Sequence, residues 1–194
     1  MAMLEKQAET QAPPETTARV RPAQAFDIIA ALPRHRHHKM EFLDGEMFII
    51  MPDAPQSSEY ASLINAALVL MVYPNDLGHV TGEQAGYMIG EERVSPDVAF
   101  IRKDKRFAET GYNPDPPDFV VEVISPSDRR RAIERKKKIY ADAGIRAWFV
   151  YPKRREVEVY APGQPVRIVG VDGLLDGGEV LPDFKLPVKT FFRG

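Results

Sequence analysis

The stretch DFVVEVISPSDRRRAIERKKKIYADAGIRAWFVYP, residues 118–152, decides the fold. It holds two nearly continuous apolar runs, FVVEVI and AWFVY, of the kind found in strands covered on both faces. Pro126 and Ser127 break the first run. A helix is then expected from about Asp128 to Ala143, with Gly144 placed to end it as the residue after the C-cap. Strands this apolar need helices packed over them, so the chain is read as an α/β layer protein.

The same reading extends outward. Upstream, DVAFIR (97–102) is a second strand candidate and 79–89 a third. SSEYASLINAALVLMVY reads as a helix with Ser57 or Ser58 as N-cap and Pro74 as its stop. MEFLDGEMFIIMP reads as a hairpin around Asp44-Gly45, and a short helix is expected from Ala23 to about Leu32, ended by Pro33. Downstream, EVEVYAPG pairs with the AWFVY run across the charged turn at 153–155, and extended pieces follow at 166–171 and 184–192. Residues 1–22, rich in Pro, Thr, Glu and Gln, are expected to be a disordered or loosely packed tail before a single domain at 23–194.

Composition narrows the function classes. The chain has 194 residues, 44% hydrophobic and 28% charged, with a net charge of −2, as in an ordinary globular domain. No apolar run reaches the roughly 18–20 residues of a membrane span, and the N-terminus lacks the apolar core of a secretory signal. Cysteine is absent, which excludes disulfides, thiolate zinc sites and cysteine nucleophiles and suits a cytoplasmic protein. A nucleic-acid partner would need local basic patches; the runs at 102–106, 128–138 and 153–155 supply candidates, although for any single run a solvated face is the favoured reading.

Three residues stand out. Glu122 interrupts an apolar strand, where a carboxylate must be paired, protonated or metal-bound unless the strand is an edge facing water. Asp97 opens another apolar strand. It is one of five Pro-Asp pairs, at Asp53, Asp97, Asp115, Asp118 and Asp183, most of which are turn signals. Asp118 lies on the strand of Glu122 about 13 Å away, whereas a neighbouring strand is only about 5 Å away, so Asp97 can meet Glu122 and Asp118 cannot. Two close carboxylates call for a shared proton or a divalent cation, and oxygen-only ligands suit Mg²⁺ or Mn²⁺; the carbonyl of Val123 is a possible third ligand. Lys136 is the third. On a helical wheel Ala132, Ile133, Ile139, Tyr140 and Ala143 lie within about 60° of it, so it sits in the stripe facing the sheet, while Lys137 and Lys138 point away to the surface. Its ammonium either snorkels past the helix end or reaches the carboxylates, where it could stabilise a phosphoryl transition state. Arg129 shares its face, and Arg129, Arg130 and Lys137 are the candidate nucleic-acid contacts of this basic run.

SPDVAFI, PPDFVVEVISPSDRRR and KKKIYADAGIRAWFVYP together resemble the Uma-two family of bacterial restriction endonuclease-like proteins, in the PD-(D/E)XK nuclease superfamily. The resemblance runs from MEFLDGE at 40–46 to VLPDFKLPVKTFF at the end. It implies a mixed central sheet flanked by helices with extra β-hairpins, a divalent metal, and hydrolysis of nucleic-acid phosphodiesters, DNA above all. It maps the catalytic positions onto Asp97, Glu122 and Lys136. Where much of the superfamily has the lysine two residues after the acid this chain has Ile124, so its lysine has moved to the helix. Glu59, where similar proteins often have a His, is a candidate additional metal ligand, although an acid in a first helical turn also suits the macrodipole. Glu41 and Glu46 are read as structural or rim positions, and the histidines of HRHH as part of a basic loop. A homodimer is expected, since cutting two strands with one site per chain favours two-fold symmetry. The other readings are a nucleic-acid-binding module without turnover and a structural domain.

Overall fold

A computed structural model describes residues 21–35, 37–51, 54–125 and 130–192. The expected tail therefore lies almost wholly outside the described residues, as do Asp53 and Arg129. The elements in chain order are α1 (Pro22–Ala30), β1 (Lys39–Leu43), β2 (Glu46–Ile50), α2 (Pro55–Val72), β3 (Gly78–Gly82), β4 (Gly86–Ile89), β5 (Glu92–Val94), β6 (Val98–Arg102), β7 (Tyr112–Asn113), β8 (Phe119–Val123), α3 (Arg130–Asp142), β9 (Arg146–Tyr151), β10 (Glu156–Tyr160), β11 (Arg167–Gly170), β12 (Leu174–Gly177) and β13 (Leu181–Pro187).

The strands form a six-stranded sheet in the order β11-β10-β9-β8-β6-β3, a five-stranded sheet β2-β1-β5-β4-β7, and the hairpin β12-β13. The larger sheet is mixed: β8 and β9 run parallel, while β6 is antiparallel to β8. One face packs on α2 through Tyr60, Ile64, Leu68 and Val72, and β12-β13 covers the rest of it with Leu175, Leu181 and Leu186. The other face, with Ala99, Ile101, Val120 and Phe149, packs on Tyr140 of α3 and on the five-stranded sheet. This is the mixed α/β architecture expected from the apolar runs.

Local chemistry accounts for the boundaries. Asp44 and Gly45 both take positive φ, 51° and 80°, which makes the tight turn whose twist matches a two-stranded hairpin. α3 ends in a Schellman motif: Ile145 N–H donates to the Tyr140 carbonyl (2.8 Å), Gly144 N–H to that of Ala141 (3.1 Å), and Gly144 takes a φ of 67°. α2 starts earlier than the serines suggest. Ala54 is its N-cap without a side-chain bond and Pro55 is its first residue, because proline's fixed φ starts a helix without a capping hydroxyl. The single strand expected at 79–89 is two strands in different sheets. The chain turns between Gly82 and Gly86, and at Gly86 a Cβ would stand 2.5 Å from the Tyr112 ring. Among the described residues no helix is long and apolar enough to cross a membrane.

Candidate active site

Asp97 and Glu122 are neighbours on adjacent strands. Val98 of β6 faces Val121 of β8, so the residue before the one and the residue after the other lie side by side on the face toward α3. Both are buried. Asp97 is held at two points: its Oδ2 accepts from the Val123 backbone N–H at 2.8 Å and its Oδ1 from the Lys39 ammonium at 3.2 Å. Lys136 reaches in from α3 and donates to Glu122 Oε2 at 2.9 Å. The Tyr140 hydroxyl, one helical turn further, donates to Glu122 Oε1 at 2.5 Å. The three residues singled out in the sequence thus converge, and Lys136 faces the sheet.

Glu41 belongs to the same cluster. Its side chain is 1% exposed and its Oε1 lies 2.8 Å from Lys136 Nζ, with the Ser95 N–H donating to the same oxygen at 2.8 Å. This corrects the rim reading of Glu41. On β1 it alternates with Met40 and Phe42, which pack under α1, so in sequence it looks like the wet face of a hairpin; only the docking of the two sheets buries it. Lys39 and Tyr140 were missed for related reasons: Lys39 directly precedes the hairpin's apolar run, and Tyr140 lies among the apolar residues of the helix stripe. Glu46 is a rim residue, paired with Arg135 at 2.8 Å, and that pair ties α3 to the hairpin.

Other expectations resolve differently. Asp118 is occupied at the far end of β8, with Lys105 at 2.9 Å and Arg102 at 3.8 Å, as its exclusion from the pair required. The basic run 102–106 is thereby tied to Asp76, Asp115 and Asp118 and lies at the end of β6 away from Asp97, so it does not border the site. Lys137 is not a surface lysine. Its ammonium is 2.9 Å from Glu158 and lies 5.6–5.8 Å from the ring centres of Phe149, Tyr151 and Tyr160, because the long side chain lies over β9 and β10. Burial would lower its pKa, but the bonds to Glu158 and Tyr151 outweigh that and raise it. Glu59 is exposed on α2 and does not line the site cavity. Arg130 is exposed at the first described residue of α3.

The electrostatics follow from three buried carboxylates facing two ammonium groups, Lys39 and Lys136. Burial first, then the charges of Asp97 and Glu41, push the Glu122 carboxyl up from its ordinary 4.5 to about 7, against the pull of Lys136 and Tyr140. Burial opposes the charge on Lys136, yet Glu122, Glu41 and Asp97 overcome it and hold the ammonium well above the usual lysine range. The Tyr140 hydroxyl is raised by burial and by Glu122 and stays protonated as a donor.

A cavity of about 60 Å³ opens among Lys39, Glu41, Asp97, Glu122, Val123 and Lys136. That is room for an ion with a water, since a water occupies about 30 Å³, but not for a nucleotide. Among the described residues no group of three or more His, Cys, Asp or Glu is arranged to hold a metal ion by itself. The donor set nonetheless fits a small hard cation, which takes one or two carboxylates and keeps several waters; all its donors are oxygens and one negative charge is unbalanced.

A mixed sheet with helices on its faces and a buried acid–lysine cluster at the strand ends places the protein in the restriction endonuclease-like class. A family model matches residues 24–189, that of Uma2, described as "Putative restriction endonuclease", and the chain belongs to this family. A crystal structure from Anabaena variabilis, described as "a putative nuclease", superposes with a TM-score of 0.70 at 19% identity, covering 79% of this chain and 89% of that one. At that identity the likeness shows the shared fold. Among curated proteins none matches the chain.

Proposed function

We propose that this protein is a Mg²⁺- or Mn²⁺-dependent endonuclease that hydrolyses nucleic-acid phosphodiester bonds, DNA foremost, through Asp97, Glu122 and Lys136. The observation that carries the reading is the convergence of Asp97 and Glu122 at adjacent strand ends with Lys136 Nζ 2.9 Å from Glu122. Asp97 and Glu122 would hold the cation, with the Val123 carbonyl, which shares the Asp97 side of its strand with the Val123 N–H. The bound cation supplies a water of lowered pKa and offsets charge on the transferring phosphoryl group.

The chain's own groups fix this arrangement. Val123 N–H and Lys39 orient the two oxygens of Asp97, and Tyr140 holds Glu122 Oε1. Lys136 keeps its proton and so presents a permanent positive charge where a phosphate oxygen becomes more negative. The cavity excludes a whole nucleotide, so a strand passes across its mouth and offers only a phosphate. Arg130, exposed at the start of the described part of α3, and Lys153, exposed beyond the end of β9, are the candidate phosphate contacts. Glu59 needs no place in the ligand set. A two-fold dimer would bring one site to each strand of a duplex.

The test is cleavage of supercoiled DNA, single-stranded DNA and RNA by the pure protein in Mg²⁺ or Mn²⁺. DNA cleavage that chelation abolishes is expected; inactivity on all three substrates together with absent metal binding overturns the reading. One observation favours a second reading, a nucleic-acid-binding module without turnover: Lys39 and Lys136 already occupy the carboxylates. DNA binding that weakens with salt and survives both Glu122→Ala and Lys136→Ala, with no cleavage by the wild type, would establish it.

A further inference from the structure

A second cavity, of about 530 Å³, lies away from the acidic cluster. Arg146 in its wall opens β9 opposite Phe119, whereas Glu122 faces Phe149 nearer the other end of the same pair. Arg146 also shares its sheet face with Trp148, which packs with α2 and β12-β13, the face opposite the cluster. The volume is in the ordinary range for small-molecule sites, about 300–1,000 Å³.

The polar wall is built and is short of acceptors. Arg146 Nη2 donates to the Asp176 carbonyl at 3.0 Å and to its Oδ1 at 2.7 Å. Arg167 Nη2 takes Oδ2 at 2.8 Å, and the Gly178 N–H takes Oδ1 at 3.0 Å. One carboxylate thus serves two guanidinium groups. The Arg146 side chain is only 8% exposed, and its Nε–H is buried with no partner among the described residues, as is the indole Nε1–H of Trp148 two residues on. Buried donors are normally satisfied. At Gly178 a Cβ would stand 2.4 Å from Arg146 Nη1, so the backbone lies directly on the guanidinium and fixes it. Pro162, Pro165 and Val166 form an apolar side of the cavity, and exposed Glu179 stands at its rim.

We propose that this cavity binds a small organic anion, with a carboxylate or phosphate head accepting from the guanidinium groups of Arg146 and Arg167 that line it and a compact apolar body against Pro162, Pro165 and Val166. The site is independent of the nuclease reading, since it lies on the other sheet face.

Trp148 is the only tryptophan of the chain, so its emission is a local reporter. The full chain is titrated with phenyl phosphate, benzoate and inorganic phosphate, followed by fluorescence and by calorimetry. Saturable binding of phenyl phosphate or benzoate is expected, at least ten-fold tighter than inorganic phosphate, and the preferred head identifies the anion class. Arg167→Ala, at a half-exposed position, is expected to weaken it at least ten-fold, and Val166→Phe, which fills the cavity from its edge, to abolish it. No binding of either organic anion, inorganic phosphate binding as tightly, or binding unchanged in both variants would overturn the proposal.

Discussion

The two faces of the six-stranded sheet are built on opposite principles. Toward α2, from Tyr60 through Val72 of the helix to Val98, Val121 and Val123 of the sheet, the contact is apolar. Toward α3, the same two strands bury Asp97 and Glu122 with Glu41, Lys39 and Lys136 among Ile133, Phe149 and Tyr140. Apolar packing needs only complementary volume, whereas buried charge needs every partner in place and is retained against a stability penalty. The contrast locates where the fold carries something other than stability.

Single truncations separate the two faces most strongly. Lys136→Ala leaves Glu41 and Glu122 buried without their cation and is expected to destabilise by about 3–5 kcal/mol. Leu68→Ala on the other face is expected to lose about 2–5 kcal/mol by opening a cavity. Denaturant unfolding measures both. They should differ in pH dependence, since only the first removes charge from a titrating cluster; equal pH profiles would contradict the contrast.

The next effect is the pH dependence of Glu122 itself in metal-free buffer. Its folded pKa, about 7, lies above its unfolded value of 4.5, so the folded state holds the extra proton between these values. The associated stability is fully present below about pH 4.5 and is lost as pH rises through 7. At about 1.4 kcal/mol per unit this amounts to roughly 3 kcal/mol. Wild type measured against Glu122→Gln from pH 4.5 to 8 should show this decline, and a flat difference would mean that the carboxyl is not desolvated.

Mn²⁺ acts on the charged face alone. At a hundred-fold excess over its Kd it should stabilise the wild type by about 2.7 kcal/mol, read as a rise in Tm, and leave Asp97→Asn unmoved. The smallest expected effect is at Glu59. Because it is exposed on α2, Glu59→Ala should change stability by less than about 0.5 kcal/mol and leave metal binding as it was.

Much of this was legible in the chain because periodicity carries direction. The spacing of neighbouring strands put Asp97 within reach of Glu122, and the helix phase singled out Lys136. Gly144 and the Asp44-Gly45 turn were readable because each requires a positive φ. What escaped depends on contacts remote in sequence. Glu41 sits on a hairpin whose wet-looking face is buried only when the five-stranded sheet docks on α3. Lys137 has a surface phase on the helix, but its long side chain finds Glu158 and three aromatic rings on strands that follow it. The split of 79–89 between two sheets follows from a turn at Gly82–Gly86 that its apolar residues do not signal.

Whether the charged face of the sheet is a metal-dependent phosphodiesterase site is decided by nicking of plasmid DNA in Mn²⁺ by the wild type beside Glu122→Gln, which keeps side-chain volume while removing the charge. The account predicts metal-dependent cleavage by the wild type and its loss in a folded Glu122→Gln protein. Equal cleavage by the two proteins, or none by a wild type that also fails to bind Mn²⁺, would contradict it.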